Sequence, residues 1–365
     1  MAYPSTEKFM YFRADLARRA HGGWLVVLAV VQMLSGCLDS NDGHGSAPAT
    51  VVVPHYRATR IAPSIPVVVA NAINNSGQVA GYFLNSEGAR HPFLYSNGTM
   101  TDLCLRGCKD GVAQGINDAG QVVGQADGHA FLYSDGTIID LGTLGGPQST
   151  GYSINDSGQI VGQSDTAQST PMNTVTHAFV HSGGTMVDLG TLGGSNSGAH
   201  GINTEGAITG FALTVGDGDT HAFVYSSGSM IDIGMPGVES GGLGINDRGE
   251  VTGRAFDSAD SAIGHAFLYS GGRMIDLGAG AVSVGYGINK RGQIVGFGET
   301  ELGNSSFLYS DGHFFALNAL ITEGLGDAKV DVGRAINGSG QIVGGSCTGI
   351  AQLPGCAAWR LDPIP

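Results

Sequence analysis

The sequence predicts an all-β fold, a seven-bladed β-propeller of four-stranded antiparallel blades, and three observations predict it. The chain is rich in glycine and poor in charge, one motif recurs seven times, and short apolar segments separated by turn residues follow each recurrence. A repeat of this size cannot bury its apolar residues alone, so we expect neighbouring repeats to pack against one another.

Composition favours a β protein with many turns. The 365 residues include 62 glycines and 12 prolines, and only 13% are charged. Glycine supplies the positive φ angles that frequent chain reversals require. The formal net charge of -14 argues against a nucleic-acid partner, because binding to a phosphate backbone requires clustered lysine and arginine.

The recurring motif reads I-N-x-x-G-x-[VI]-x-G. Its successive asparagines are separated by 43, 38, 48, 43, 43 and 48 residues, which indicates that loops absorb the differences in length. The asparagines are Asn74, Asn117, Asn155, Asn203, Asn246, Asn289 and Asn337.

Each repeat divides into four strands, named a, b, c and d in chain order. In the second repeat, strand a ends in Ile-Asn at Asn117, and strands b, c and d cover residues 121–124, 129–134 and 137–142. Asn-x-x-Gly is typical of a type I turn between a and b, and Asp-Gly is typical of a tight hairpin between c and d. The strands are apolar on both alternations, so we expect both faces of each sheet to be covered.

The two ends of the repeat array predict how the ring closes. The seventh repeat supplies strands a, b and c, with Ala357-Ala358-Trp359 in place of His-Ala-Phe, but no strand d follows it. Residues 56–61 precede the first repeat where a strand d would fall. We therefore expect this N-terminal strand to complete the last blade, which leaves only short protected edges. An open solenoid is the alternative.

The N-terminal residues predict an exported protein. Arg13, Arg18 and Arg19 precede an apolar run over residues 24–34 that is too short to cross a bilayer, a pattern typical of a signal peptide. We predict a signal peptide over residues 1–37, a flexible tether over residues 38–55 and the propeller over residues 56–365.

The run ends in Leu34-Ser35-Gly36-Cys37, which resembles the lipobox of bacterial lipoproteins. That resemblance implies a diacylglycerol on Cys37 and membrane attachment through it. Leu38 follows, and by resemblance to the lipoprotein sorting rule the absence of aspartate there implies the outer membrane, on its periplasmic or its cell-surface side. A cleaved signal peptide with an incidental cysteine is the alternative.

The His-Ala-Phe, Asp-Leu-Gly-Thr-Leu-Gly-Gly and Ile-Asn-x-x-Gly-Gln-Ile-Val-Gly segments together resemble the HAF family of extracellular bacterial repeat proteins. The likeness covers about residues 67–360 and is fullest in the repeats that contain His129 and His177. The resemblance implies an exported location and a β-repeat architecture. It implies no particular reaction.

Five histidines recur at one position, and an aspartate follows each of them eleven residues later. A c–d turn with an even number of residues would place both side chains on one face of the hairpin, so we predict structural hydrogen bonds, with no metal and no cofactor. The sixth repeat, with Ser305 and Ala316, lacks both partners together. The pairs are His91 and Asp102, His129 and Asp140, His177 and Asp188, His221 and Asp232, and His265 and Asp276.

Four cysteines remain once Cys37 is assigned to lipid: Cys104, Cys108, Cys347 and Cys356. Two disulfides suit an oxidising compartment. Local pairing within each sequence neighbourhood is the simpler arrangement. Pairing between the first and seventh blades stays open, since these blades adjoin in a closed ring.

Function is expected at the variable b–c and d–a connections, which collect at one end of a propeller. We hypothesise that a monomer uses an acidic rim there to contact a glycan, a cationic ligand or another envelope protein. The alternatives are a propeller-fold glycosidase or lyase at the central opening, with His181, His200 and Lys290 as non-repeated candidates, and a purely structural surface protein. The rim residues are Asp165, Asp217, Asp219, Asp257, Asp260, Glu299 and Glu301.

Overall fold

Seven small antiparallel sheets make up the fold in the computed structural model, which describes residues 52–104, 107–256, 263–278, 282–300, 303–348 and 355–365. Val53–Pro365 forms one compact unit. The predicted signal peptide, Cys37 and most of the predicted tether lie outside the described residues. In the described part of the chain, no helix has the length and apolar content needed to cross a bilayer.

The first strand is β1 (His55–Arg60), and six four-stranded blades follow in chain order. Blade 1 contains β2 (Val68–Ile73), β3 (Val79–Leu84), β4 (Arg90–Ser96) and β5 (Thr99–Asp102). Blade 2 contains β6 (Gly111–Ile116), β7 (Val122–Ala126), β8 (His129–Ser134) and β9 (Thr137–Asp140). Blade 3 contains β10 (Gly145–Ile154), β11 (Ile160–Thr166), β12 (Thr176–Ser182) and β13 (Thr185–Asp188).

The next three blades have the same order of strands. Blade 4 contains β14 (Gly193–Ile202), β15 (Ile208–Thr214), β16 (Thr220–Ser226) and β17 (Ser229–Asp232). Blade 5 contains β18 (Ser240–Ile245), β19 (Val251–Phe256), β20 (Gly264–Ser270) and β21 (Arg273–Asp276). Blade 6 contains β22 (Ser283–Ile288), β23 (Ile294–Thr300), β24 (Gly303–Ser310) and β25 (His313–Ala316).

Blade 7 closes the ring with strands from both ends of the chain. After α1 (Leu317–Leu320) and β26 (Ile321–Glu323), its own strands are β27 (Val332–Ile336), β28 (Ile342–Thr348) and β29 (Gly355–Ile364). The N-terminal β1 pairs antiparallel with β29, with Arg60 opposite Trp359. The predicted closure is therefore confirmed.

The sequence did not predict the fifth strand of blade 7. β26 pairs parallel with the outer side of β1, so β1 lies between two strands of the sheet. An ion pair of 2.6 Å between Arg57 Nε and Glu323 Oε2 joins the two strands at their exposed edge. This short strand covers an edge that a four-stranded blade would leave unpaired.

The last glycine of the motif is required by the close approach of strands a and b. In all seven blades the pairing of these two strands skips one residue of strand a, which is a β-bulge. A Cβ atom on Gly162 would lie 1.9 Å from the carbonyl oxygen of Thr150, and one on Gly81 would lie 2.0 Å from that of Val69. No side chain fits opposite the bulge, which explains why the position is always glycine.

The hydrophobic core lies between the blades. The phenylalanine of each His-Ala-Phe segment is at most 1% exposed, and burial of such a side chain contributes about 1.5–3 kcal/mol. Clusters span blade boundaries: Val161 and Ala178 of blade 3 pack with Phe223 of blade 4. Adjacent blades are also joined by buried hydrogen bonds, such as that of 2.8 Å from the Ala130 backbone N–H to Ser149 Oγ.

Both disulfides are local. Cys104 bonds Cys108, and Cys347 bonds Cys356, with the second pair directly opposite each other on β28 and β29. The alternative of a bond between the first and seventh blades is therefore excluded in this structure.

Candidate functional site

The seven a strands surround the axis, and each contacts the a strands of both neighbouring blades. These strands are β2, β6, β10, β14, β18, β22 and β27. The end of the propeller with the a–b turns is called the turn end here, and the end with the b–c and d–a connections is called the loop end. Residues on the a strands therefore control access along the central channel.

At the turn end, the motif asparagines form a closed ring of hydrogen bonds. Each Nδ2 donates to the backbone carbonyl of the asparagine in the next blade over 2.8–3.2 Å, and Asn337 completes the circle by donating to Asn74. Each Oδ1 also accepts a backbone N–H within its own turn, as from Gln78 N to Asn74 at 2.9 Å. All seven side chains are 3–6% exposed, so these amides are occupied by the fold.

In three blades the residue after the ring asparagine is an aspartate, and these aspartates also form hydrogen bonds between blades. Asp118 Oδ1 accepts the N–H of Asn75 at 2.8 Å, and Asp156 Oδ1 accepts the N–H of Asp118 at 2.8 Å. Asp247 Oδ1 accepts the N–H of Thr204 at 3.1 Å. These carboxylates are exposed at the turn end, but each has a structural hydrogen bond.

Three residues before each ring asparagine, strand a has a position that differs chemically among the blades. It is the extra residue of the β-bulge in every blade, and bulges commonly redirect a side chain beside a functional site. We call it the channel position. Its seven residues are Asn71, Gln114, Tyr152, His200, Leu243, Tyr286 and Arg334.

Burial indicates that these side chains line the channel. The residue immediately before the channel position is buried in all seven blades. Six of the channel residues are partly exposed, and Arg334 is exposed. The a strands are the innermost strands, each contacting the a strands of the two adjacent blades, so we infer that solvent reaches these side chains along the axis. The channel is thus accessible to water at mid-height.

The channel residues contact one another across blade boundaries. The rings of Tyr152 and His200 have centroids 4.8 Å apart, and the guanidinium carbon of Arg334 lies 5.1 Å from the centroid of Tyr286. Asn71 Nδ2 donates to the carbonyl of Ala113 in the next blade at 2.9 Å. Aromatic rings, amides and one exposed cation therefore share a single level of the channel.

His200 is neutral at physiological pH. Burial lowers its pKa from 6.5 to about 4, although a hydrogen bond with the backbone of Gly242 opposes the shift. Its Nδ1 is buried and has no hydrogen-bond partner among the described residues. The ring packs between Tyr152 and Phe211, with centroid distances of 4.8 and 5.6 Å.

A second arginine lies close to the same tyrosine. Arg254 is on strand b of blade 5, and burial lowers its pKa while an electrostatic interaction with Tyr286 opposes that shift. Its guanidinium carbon is 4.3 Å from the centroid of Phe256. Tyr286 therefore interacts with two arginines, Arg254 and Arg334.

Neither of two positions that face the channel has a carboxylate in any blade. None occupies the channel position, and none occupies the strand b position eight residues after each ring asparagine, where Arg254 and Phe211 lie. The sequence has 31 acidic residues, so their absence from both positions contrasts with the rest of the chain.

The five His-Asp pairs lie on the outer c–d hairpins. Each Nδ1 is 2.7–2.9 Å from a carboxylate oxygen of its aspartate. The aspartates also accept backbone N–H groups two residues later, as from Gly142 to Asp140 at 2.8 Å. Among the described residues one cluster has the spacing of metal ligands, His91, Asp102 and Cys104, but Cys104 is in a disulfide.

The described residues of the predicted acidic rim are all used to hold loops. Asp217 Oδ1 accepts the N–H of Ser195 at 2.6 Å, and Asp219 Oδ2 accepts that of Gly237 at 2.8 Å. Asp165 is only 7% exposed, and burial raises its pKa although a hydrogen bond from the Gln148 backbone opposes the shift. Asp165 therefore does not belong to an exposed rim. Asp257, Asp260, Glu301 and the side chain of Glu299 lie outside the described residues.

The three non-repeated candidates lie in different places. His200 lines the channel, whereas Lys290 is exposed at the turn end. His181 occupies the strand c position that is tyrosine in five other blades and Leu361 in blade 7. It lies opposite Ile160 and Met186, where burial lowers its pKa. The sequence alone named His200 but not its neighbours. Comparing the seven repeats position by position would have found them.

A depression of about 510 Å³ lies outside the channel, beside α1 and β26. Its lining residues mainly stabilise the connection between blades 6 and 7. Asn318 forms two hydrogen bonds of 2.9 Å with the backbone of Val330, and Glu323 forms an ion pair with Arg57. It contains no group of convergent reactive side chains.

Comparisons with known proteins identify the fold alone. No protein-family model and no curated protein matches the chain. A puromycin-hydrolysing peptidase from Mycobacterium tuberculosis is similar with a TM-score of 0.52 and 11% identity, over 85% of this chain and 56% of that one. The β-propeller domain of the Trilobed protease from Pyrococcus furiosus has a TM-score of 0.49 and 13% identity, over 68% and 80%. TolB from Acinetobacter baumannii has a TM-score of 0.41 and 14% identity, over 57% and 53%. The chain is a β-propeller.

Proposed function

We propose that the chain is an exported, lipid-anchored β-propeller that acts as a binding module of the bacterial envelope. One observation carries the proposal: the repeated polar side chains are occupied by structural hydrogen bonds, whereas the side chains that differ among blades meet in a water-accessible channel. Ligand sites are typically concave, with aromatic surfaces and a few convergent polar groups. The channel has these properties.

Export and anchoring are supported by the sequence. The lipobox-like segment ends at Cys37, Leu38 follows it, and the repeats resemble the HAF family of extracellular proteins. Two disulfides also suit an oxidising compartment. The proposed location is the outer membrane, with attachment through the lipid on Cys37.

The channel chemistry favours binding over catalysis. Glycoside hydrolysis ordinarily requires two carboxyl groups flanking the bond that is cleaved. The channel position and the strand b position beside it have none, so a glycosidase at the central opening is disfavoured. A purely structural role would not require six residue types among the seven residues at one position of an otherwise uniform repeat.

The test uses the full-length chain, extracted from membranes in detergent. Metabolic labelling with radioactive palmitate should mark the wild type and not Cys37→Ser. The labelled protein is then applied to a glycan array and to an envelope extract. Stable capture of one defined glycan or protein supports the proposal. Turnover of a glycan without capture would indicate an enzyme, and neither capture nor turnover would indicate a structural protein.

A further inference from the structure

We infer that the channel binds a sugar with a carboxylate group, in which Arg334 contacts the carboxylate and Tyr286 packs against the sugar ring. The inference deepens the proposed function and rests on it, because it names the ligand class of the same module. It also moves the predicted binding surface from the acidic loop rim into the channel.

Arg334 is the first reason. It is exposed on the innermost strand of blade 7, its guanidinium carbon is 5.1 Å from the Tyr286 ring centroid, and no described carboxylate forms an ion pair with it. The planar guanidinium group matches a carboxylate through two parallel hydrogen bonds. A cation held on an aromatic face without an acidic partner is therefore ready to bind an anion.

The charge around Arg334 is the second reason. The nearby Arg254 is a second cation that interacts with Tyr286, and no carboxylate occupies the channel position or the strand b position eight residues after each ring asparagine. The exposed aspartates of the turn end follow the ring asparagines and are four residues from the channel position, which is roughly 13 Å along the chain at 3.3 Å per residue. That distance exceeds the screening length of about 8 Å at physiological ionic strength. A cationic ligand would be repelled at this level of the channel.

The aromatic and amide groups are the third reason, and they distinguish a sugar from a simple anion. Tyr286 and Tyr152 present partly exposed rings at the channel position, and Tyr152 stacks at 4.8 Å on His200. Gln114 is partly exposed and has no hydrogen-bond partner among the described residues, and the buried Nδ1 of His200 likewise has none. Partly exposed aromatic rings together with the exposed part of the Gln114 amide suit a ring that carries hydroxyl groups.

Calorimetric titration of the full-length protein in detergent tests the inference with three probes: D-galacturonate, D-galactose and acetate. Galacturonate should bind at least about tenfold more tightly than galactose, which lacks the charge, because a hydrogen-bonded charge contact is worth that factor or more. It should also bind more tightly than acetate, which lacks the ring. Equal affinity for galacturonate and galactose would overturn the inference.

Variants locate the site. Arg334→Gln should weaken galacturonate binding about tenfold or more, and Tyr286→Leu should weaken it several-fold through loss of the ring contact. Arg273→Gln is the matched control, because Arg273 is an exposed arginine on the outer strand of blade 5. Circular dichroism verifies that each variant is folded. Undiminished binding by Arg334→Gln would overturn the channel as the site.

The envelope extract separates this inference from the proposed function. Capture of a partner equally well by the wild type and by Arg334→Gln would overturn the channel site while leaving the binding module standing. If the wild type neither captures a partner nor binds galacturonate, both are contradicted. If it captures a partner but does not bind galacturonate, only the inference is overturned. Capture that is lost in Arg334→Gln and retained in Arg273→Gln would support both.

Discussion

Two levels of the a strands, three residues apart, follow opposite rules. At the ring asparagines, all seven blades have the same residue and the same hydrogen bond to the next blade. At the channel position, the seven residues range from leucine to arginine. Repetition therefore marks groups that hold blades together, and variation within the repeat marks the position whose side chains line the channel.

The largest expected effect comes from the glycine opposite the bulge. Gly162→Ala places a Cβ atom 1.9 Å from the Thr150 carbonyl oxygen, so strand a must move, and we expect a loss of about 3 kcal/mol or more in the free energy of unfolding. Gly151→Ala is the matched control in the same blade, since its Cβ would have ordinary contacts beginning at 3.4 Å. Urea denaturation measures both variants, and equal stabilities would refute the steric explanation.

The next effect concerns pH and the channel histidine. Because the pKa of His200 falls from 6.5 to about 4 on folding, the unfolded chain binds a proton more readily between these values. Stability from this group is complete above pH 6.5 and is lost as the pH falls, by about 2 kcal/mol between pH 6.5 and 5. His200→Gln should remove that part of the pH dependence in urea denaturation series. An unchanged slope in the variant would show that His200 is not buried as described.

A smaller loss is expected in the ring of asparagines. Asn117→Ala removes the hydrogen bond to the Asn155 carbonyl and the one from the Gln121 N–H, and it leaves buried polar groups without partners. We expect a cost of about 1.5 kcal/mol in urea denaturation. A variant as stable as the wild type would mean that the ring does not join the blades.

The smallest effect is expected at the channel position itself. Gln114→Ala removes a partly exposed amide that has no described hydrogen bond, so stability should change by no more than about 0.5 kcal/mol. The same urea measurement verifies this. A loss as large as that of Asn117→Ala would erase the distinction between the two levels.

The repeated motif allowed the fold to be predicted from the sequence. The site was harder to predict, because it depends on local packing that the motif does not encode. Residues 56–61 were recognisable as the missing strand because their place relative to the first motif matches strand d, and β1 does pair with β29. β26 was not predictable, since three residues inside a long connection form a strand only because β1 offers an open edge. Asp165 was assigned to the rim from loop position alone, and its burial depends on contacts with residues 146–148 that the sequence does not reveal.

The channel position can be recognised in the sequence, but only when the seven repeats are aligned with one another. Aligning the seven repeats on their asparagines reveals one variable residue between a small buried residue and a small residue followed by isoleucine. Its placement on a bulge, and thus its exposure to the channel, comes only from the pairing of strands a and b. Comparison among repeats of one chain can therefore replace comparison among homologues.

The most direct test measures affinity and stability together for one residue of each kind. Arg334→Gln should lower galacturonate affinity about tenfold and change the free energy of unfolding by no more than about 0.5 kcal/mol. Asn117→Ala should lower the free energy of unfolding and leave the affinity of the folded protein unchanged. Unaltered affinity in Arg334→Gln, or a loss of affinity in folded Asn117→Ala that matches it, would contradict the division between repeated and variable positions.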